Sequence, residues 1–586
     1  MMKHYRNSFK LGLLVSTVCT TLFAATPVVK IPDVSDAVKT AVPPKLDEMK
    51  EETPPKLDIV TPQEEEPLLL SDGETVYVET IVIQEPTLGQ ESGLQALVSG
   101  YAHKAVGMKE ITELCSKISS YYREKGYMLA RAYAPKQNVP AQNGVLNIVV
   151  VIGSYGNVDL HNSSFVSDEY LKRFLEQQFP SGNNITQDDL ERAMLLVQRM
   201  PGASLPKIAL APGERFGASN LVVDVPEGKE VEGYLIGDNT GAEPSGQYRL
   251  MGGLSWNSPL GIGDQLSIGG MFSNSGAVKN GRIAYALPLG YDGMRLELTY
   301  SKTTTDSIIK EMPEGTQEIL DASKGDADIY DAKFSYPLIL TQLETLDAYI
   351  DLSHTDKENR SDYDDAFGLG DSVIPKKLNV VRLGAQWVRF SLLNGQMLYH
   401  NLTGEFSAGN VDNNGPYSEE DKTEGDFSKL FFAYSGNLSV NKSSNFLVTL
   451  KLQKALGNKS LDGFEQLTLS GSNGVKVFTD SDLTADTGYF LGLEYQYGLP
   501  QFEKLTHKLG IFAEHARGIY EDQAYSESNG NEDQSLSDAG IVYYANVDQL
   551  FFNARWAHVL GGEKAGEGVQ KNTYRSRLML VMGMVF

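Results

Sequence analysis

From Val231 to Phe586 the chain is built of segments of about ten residues in which apolar and polar side chains alternate, separated by Gly, Asn, Asp and Pro turns. A period of two sends successive side chains to opposite faces of a strand, so each segment carries one apolar and one polar face. In "DGMRLELTYS" Met294, Leu296, Leu298 and Tyr300 oppose Arg295, Glu297 and Thr299. In "FLVTLKLQ" Phe446, Val448, Leu450 and Leu452 oppose Thr449, Lys451 and Gln453, and in "YFLGLEYQYG" Tyr489, Leu491, Leu493, Tyr495 and Tyr497 oppose Gly492, Glu494 and Gln496. "DAYIDLS" and "LFFNARW" behave alike. No helical period competes with this signal, so residues 229–586 read as an all-β unit.

A soluble sandwich and a membrane barrel both produce such alternation. Three features favour the barrel. Lys3, Arg6 and Lys10 precede the apolar "LGLLVSTVCTTLFAA", the layout of an export signal over residues 1–25. Tyr489 and Tyr497 cap an apolar row as an interfacial girdle does. The chain ends on "LMLVMGMVF", with Leu578, Leu580, Met582, Met584 and Phe586 on one face, a terminal aromatic that suits the last strand of a barrel. About sixteen strands fit into roughly 355 residues, an even number in the range of bacterial outer-membrane barrels. Closure also pairs the edge groups that lipid cannot satisfy.

Upstream the pattern differs. Residues 26–74 are Pro-rich and acidic, with "PPKLD" at Pro43 and again at Pro54; such a tract buries little and reads as a linker, with a short helix in "DVSDAVKTAV" that docks elsewhere as the alternative. Residues 75–153 mix α and β: "VYVETIVI" as a strand, "MKEITELCSKISSYYREKG" as a helix stopped at Gly126, then the strands "YMLARAYAP" and "VLNIVVVIG". Residues 154–228 repeat that order, with helices opened by the N-caps Ser167 and Thr186 and strands in "PKIALAPG" and "NLVVDVPEG".

A net charge of −25 argues against nucleic acid as a partner. With the signal removed, Cys115 is the sole thiol, and the eight His are scattered without metal-ligand spacing, so neither disulfide, metal nor cofactor is expected. No phosphate-binding loop, nucleophile elbow or zinc-protease motif is present, and the chain does not read as an enzyme.

Four stretches resemble the outer-membrane transporters of two-partner secretion, the TpsB family of ShlB/FhaC/HecB-type haemolysin secretion and activation proteins. They are "GYMLARAYAPKQNVPAQNGVLNIVVVIG", "GASNLVVDVPEG", "NSPLGIGDQLSIGG" and "FEQLTLSGSNGVKVFTDSDLTADTGYF". The resemblance implies two periplasmic POTRA domains, with Pro135, Gln137 and Gly144 in the POTRA motif of the first, and a sixteen-stranded antiparallel barrel in the outer membrane. It further implies a plug helix and linker within residues 26–74, and a loop, about 456–486, whose V-R-G-[YF] tip folds into the lumen to meet an Asp on the inner wall. Mapped here, the tip is Val475, Lys476, Val477 and Phe478, with Lys and Val where the family has Arg and Gly; the wall motif is Asp486 and Gly488. Residue parity places Asp486 with Gly492, Glu494 and Gln496 on the lumen side, so Lys476–Asp486 is the expected tether. A lysine offers one compact charge where Arg offers a planar fork.

The implied function is uptake of an unfolded, secreted exoprotein by the POTRA domains and its passage through the barrel. Outer-membrane lipid and the barrel-assembly machinery are the further expected partners. A barrel-assembly-type insertase is the alternative, and a diffusion porin a more distant one.

Overall fold

The computed structural model describes Lys39, Pro54, Ile59–Val60 and the chain from Thr75 to Phe586, apart from 85–90, 138, 140–142, 243–244, 275, 310–320, 363–371, 416–421, 481, 522–532 and 562–574. The export signal and nearly all of the Pro-rich tract lie outside the described residues.

The first α/β unit packs helices α1 (Glu91–Val98) and α2 (Met108–Glu124) against a three-stranded sheet of Thr80–Gln84, Val145–Val151 and Arg131–Tyr133. Ile111, Leu114, Ile118 and Tyr122 form the buried stripe of α2, and Gly126 (φ +94°) ends it in a conformation that costs glycine nothing. The single strand expected in "VYVETIVI" breaks at Glu79. Thr75–Val78 pairs with Lys104–Gly107, while Thr80–Gln84 pairs with Val145–Val149. "YMLARAYAP" is strand only at Arg131–Tyr133, because Met128 and Ala130 close turns onto the Gly126 and Tyr127 carbonyls. Helix α1 was not anticipated.

The second unit carries α3 (Asp168–Gln178) and α4 (Gln187–Gln198), capped by Ser167 and Thr186, whose side chains accept from the Tyr170 and Asp189 amides. Its sheet is Lys207–Pro212, Ala218–Val225 and Ser154–Asn162, extended by Ile59–Val60 running parallel to Ile208–Ala209. A tract read as linker thus contributes an edge strand. The unit rests on the barrel: the Arg199 guanidinium forks onto Asp347 (2.6 and 3.1 Å), Tyr170 Oη donates to the Gly290 carbonyl (3.2 Å) and Gln178 Nε2 to that of Tyr291 (2.8 Å).

Sixteen antiparallel strands close into a barrel. They are β1 Val231–Asp238, β2 Arg249–Asn257, β3 Gln265–Ser273, β4 Val278–Pro288, β5 Arg295–Ile309, β6 Asp321–Leu340, β7 Glu344–Asp362, β8 Ser372–Leu393, β9 Gln396–Asn413, β10 Gly425–Asn441, β11 Ser444–Ala455, β12 Thr487–Gly498, β13 Leu505–Ile519, β14 Asp533–Val547, β15 Leu550–Val559 and β16 Ser576–Val585. Lengths vary widely, from 8 residues in β1 to 22 in β8. Tyr234–Asp238 pairs with Val581–Val585 to complete the ring, and the Gly233 and Phe586 backbones exchange two 3.0 Å hydrogen bonds at its end.

The apolar rows face outward: Leu298, Leu452, Leu493, Tyr497, Leu578 and Met582 are all exposed. In water such a surface would drive aggregation; in lipid it is the solvent-matched face. The opposite rows line the lumen, where Glu494 accepts from Tyr544 Oη (2.7 Å) and pairs with Arg555 (3.1 Å).

Candidate functional site: a loop anchored inside the barrel

Between Ala455 and Thr487 the chain leaves β11 and returns as β12 only after filling the lumen. The loop is braced by a two-residue ladder, Leu467–Thr468 with Thr484–Ala485, and a tight turn at Gly471–Asn473. Glycine is required twice. Gly471 sits at φ +70°, and a Cβ on Gly474 would lie 2.0 Å from the Leu469 carbonyl carbon.

The tip is apolar and buried. Val475, Val477 and Phe478 are at most 2% exposed and pack with Phe490, Phe512, Ala516 and Val542 of the wall. Its polar attachment is through the main chain: Lys476 N donates to Glu514 Oε2 (2.9 Å) and Val477 N to Asp538 Oδ2 (2.8 Å). Glu514 on β13 and Asp538 on β14 are direct register partners, so two carboxylates side by side receive two consecutive amides. Bonds of this kind, made by backbone amides, do not depend on which side chains the tip carries. Lys476 Nζ lies 3.4 Å from Glu514 Oε1, donates to the Gly474 carbonyl (2.8 Å) and stands over the Phe490 ring. Arg555 adds a second cation 3.6 Å from Glu514.

The expected Lys476–Asp486 tether is therefore not the pair that forms. Asp486 is buried on the lumen side but accepts from Leu461 N, Gln466 Nε2 and Glu521 N, each at 3.0 Å, and ties the two ends of the loop together. Parity gave its face; it carried no information about which loop residue would lie opposite. Gly488 permits close strand approach, since a Cβ there would meet the Arg517 carbonyl oxygen at 2.5 Å. Glu514 went unrecognised, although "FAEHA" has the signal: Leu509 and Ile511 face lipid, so Phe512, Glu514 and Ala516 face inward.

A second anchor lies at the loop root. Asp462 Oδ1 is 2.9 Å from Lys357 Nζ on β7, and Oδ2 is 3.6 Å from Lys376 on β8. Glu465 meets Arg382 on β8 (2.7 Å) and Lys429 on β10 (2.8 Å). Both carboxylates are only 2% exposed, so these pairs are removed from water and each anion is matched by two cations.

Pro135, Gln137 and Gly144 lie far from the lumen and hold the first α/β unit. Gln137 accepts from Asn147 N (2.8 Å) and donates to the Asn147 and Pro135 carbonyls, standing in for a strand neighbour; Gly144 at φ +77° receives Glu79 N on its carbonyl. Phe586 packs over Gly233 where the ring closes.

Paired α/β units ahead of a closed sixteen-strand barrel with a loop held in its lumen define an outer-membrane protein transporter of the POTRA–barrel type. Residues 217–524 match the family model described as haemolysin secretion/activation protein ShlB/FhaC/HecB, and residues 76–153 match the ShlB-type POTRA domain. The chain belongs to that family: it is a two-partner secretion transporter of the outer membrane, with its POTRA domains in the periplasm. The heme/hemopexin transporter protein HuxB of Haemophilus influenzae is 25% identical over 78% of this chain and 79% of its own length. Among solved structures, CdiB from Escherichia coli superposes with a TM-score of 0.68 at 19% identity, covering 94% of this chain and 95% of that one. BamA from Haemophilus ducreyi lacking POTRA domains 1–3 reaches a TM-score of 0.51 at 13% identity over 87% and 100%. These two likenesses are of fold.

Proposed function

We propose that the periplasmic units capture an unfolded exoprotein of the adhesin or haemolysin type and that the barrel threads it to the cell surface, with the lumenal loop as the resting obstruction. The observation that carries this reading is the double anchoring of the loop, at its tip by Glu514 and Asp538 and at its root by four wall cations. A lumen filled by a segment held through exchangeable hydrogen bonds and ion pairs suits a conduit that opens for a client and not a diffusion pore. Lys39 of the Pro-rich tract adds to the plug: it is helical, and its Nζ donates to the loop carbonyl of Gln466 (2.6 Å). Capture runs by strand addition to a sheet edge, whose main-chain hydrogen bonds accept many sequences. With no energy-coupling motif in the sequence, folding outside the cell drives the passage. The barrel contacts outer-membrane lipid and reaches the membrane through the barrel-assembly machinery.

Deleting the gene and comparing the culture medium with the outer-membrane profile tests this. Loss of one large secreted protein with the membrane profile unchanged is expected. A general loss of barrels would show an insertase instead.

A further inference from the structure

The lumenal loop also reaches the place where the barrel closes. β1 and β16 share a ladder of only 5 register pairs, whereas β16 pairs with β15 along 9. Beyond Asp238 a main-chain bond from Asn239 N to the Leu580 carbonyl (3.2 Å) continues the ladder, and side chains finish the junction. Asn239 Nδ2 donates to the Leu578 carbonyl (3.0 Å), its Oδ1 accepts from Leu580 N (2.7 Å), and Arg577 Nη2 donates to the carbonyls of Asn239 (3.4 Å) and Gly241 (3.0 Å).

The loop is a party to this closure from both sides. On the β16 side, Arg577 Nη1 donates to the Phe478 carbonyl at the loop tip (2.7 Å). On the β1 side, Arg249 of β2 donates through Nε to Asp238 (3.0 Å), through Nη1 to Asp480 of the loop (2.9 Å) and through Nη2 to Thr240 Oγ1. The Arg249, Asp238 and Asp480 side chains are 6%, 2% and 3% exposed, so none can exchange its partner for water without rearrangement. One guanidinium thus joins the loop to the end of β1 and another joins it to β16.

We propose that the lumenal loop staples the barrel seam: while Phe478 and Asp480 are seated, the extracellular half of the β1–β16 junction stays closed, and withdrawal of the loop frees it. Arg249, Arg577 and Asn239 are then positioning residues for seam closure, a role separate from the anchors on Glu514 and Glu465. The coupling is reciprocal by thermodynamic necessity: whatever holds the seam also holds the loop. It belongs to the barrel itself and stands or falls independently of what the transporter carries.

Hydrogen exchange followed by mass spectrometry on the full chain in lipid nanodiscs tests it. Asp480→Asn alters the loop alone and keeps its size. The amides that donate across the seam, those of Asn239 and Leu580, should exchange at least tenfold faster than in the wild type, with those of β8 unchanged. Faster loop exchange beside wild-type seam exchange overturns the proposal.

The reverse experiment covers a variant in which Asp480→Asn leaves the loop seated. Gly237 and Met582 are register partners whose backbones form a hydrogen-bonded pair, with Cα atoms about 5.5 Å apart, within disulfide reach. In Gly237→Cys/Met582→Cys, oxidation locks the seam and reduction restores it in the same folded protein. Loop amides 472–482 should exchange at least tenfold more slowly when oxidised, and equal rates in the two states refute the coupling.

Discussion

Replacing Glu465 by Gln removes one negative charge and no volume from an enclosed ion cluster in the lumen. Two cations then lose their shared anion. Arg382 retains Asp351, at 3.4 Å, and Lys429 retains the Gln453 side chain and the carbonyl of residue 465. Breaking a buried pair by removing one partner costs about 3–5 kcal/mol, because the remaining charge stays buried without compensation. Gln keeps an acceptor oxygen, so the lower end, about 3 kcal/mol, is the expected loss of loop anchoring. At about 1.4 kcal/mol per decade this raises the released fraction of the loop roughly a hundredfold. Planar-bilayer recording reads that fraction directly as time spent at high conductance. Heat-modifiable migration of the barrel on a gel checks that the fold is intact. A well-folded Glu465→Gln barrel with the wild-type open fraction would refute the argument that the root pairs hold the loop.

Lys476→Ala leaves both tip amide contacts in place, so it should reduce secretion less than Glu514→Gln, which weakens a charge-assisted acceptor worth about 1.5–3 kcal/mol; quantifying exoprotein in the medium ranks the two. Gly474→Ala drives a methyl into the Leu469 carbonyl and should unseat the tip, seen as protease cleavage within residues 471–483 that is absent from the wild type. In the first periplasmic unit, burial pushes the Cys115 thiol up to about 11, so it stays protonated at neutral and mildly alkaline pH. Alkylation by iodoacetamide at pH 8 should be negligible in the native protein and complete in denaturant. Rapid native labelling would place Cys115 at the surface.

Much of this architecture is legible in residue order because each strand of a membrane barrel must declare its lipid face. Leu491, Leu493 and Tyr495 against Glu494 and Gln496 identify β12 and its orientation without any partner. The helices of the second unit announce themselves through Ser167 and Thr186 in the same way, since a cap is a local bond. Contacts set by register are another matter. Glu514 lies 38 residues beyond Lys476, and nothing in either segment states that β13 passes the loop tip. The tip attachment is also made by amides, which every residue possesses, so a search for complementary side chains finds Asp486 first. The Lys and Val at positions 476 and 477 look like departures only while the side chains are assumed to do the binding. Short elements such as α1 and the Ile59–Val60 strand form because a neighbouring surface accepts them, and their sequences alone are too brief to nucleate structure.

The unequal strands give the pore an asymmetric exit. At about 3.3 Å per residue, β8 is roughly 70 Å long and β1 roughly 26 Å, against an apolar band of about 25 Å. The periplasmic turns flanking β7–β9 are tight, at 341–343 and 394–395, so the surplus length stands outside the cell. β6 to β10 form a tall parapet, and the rim slopes down to the seam at β1 and β16. Measured by the described strands, a polypeptide emerging from the lumen passes a tall wall on the β6–β10 flank and a low one beside the junction that the loop holds shut.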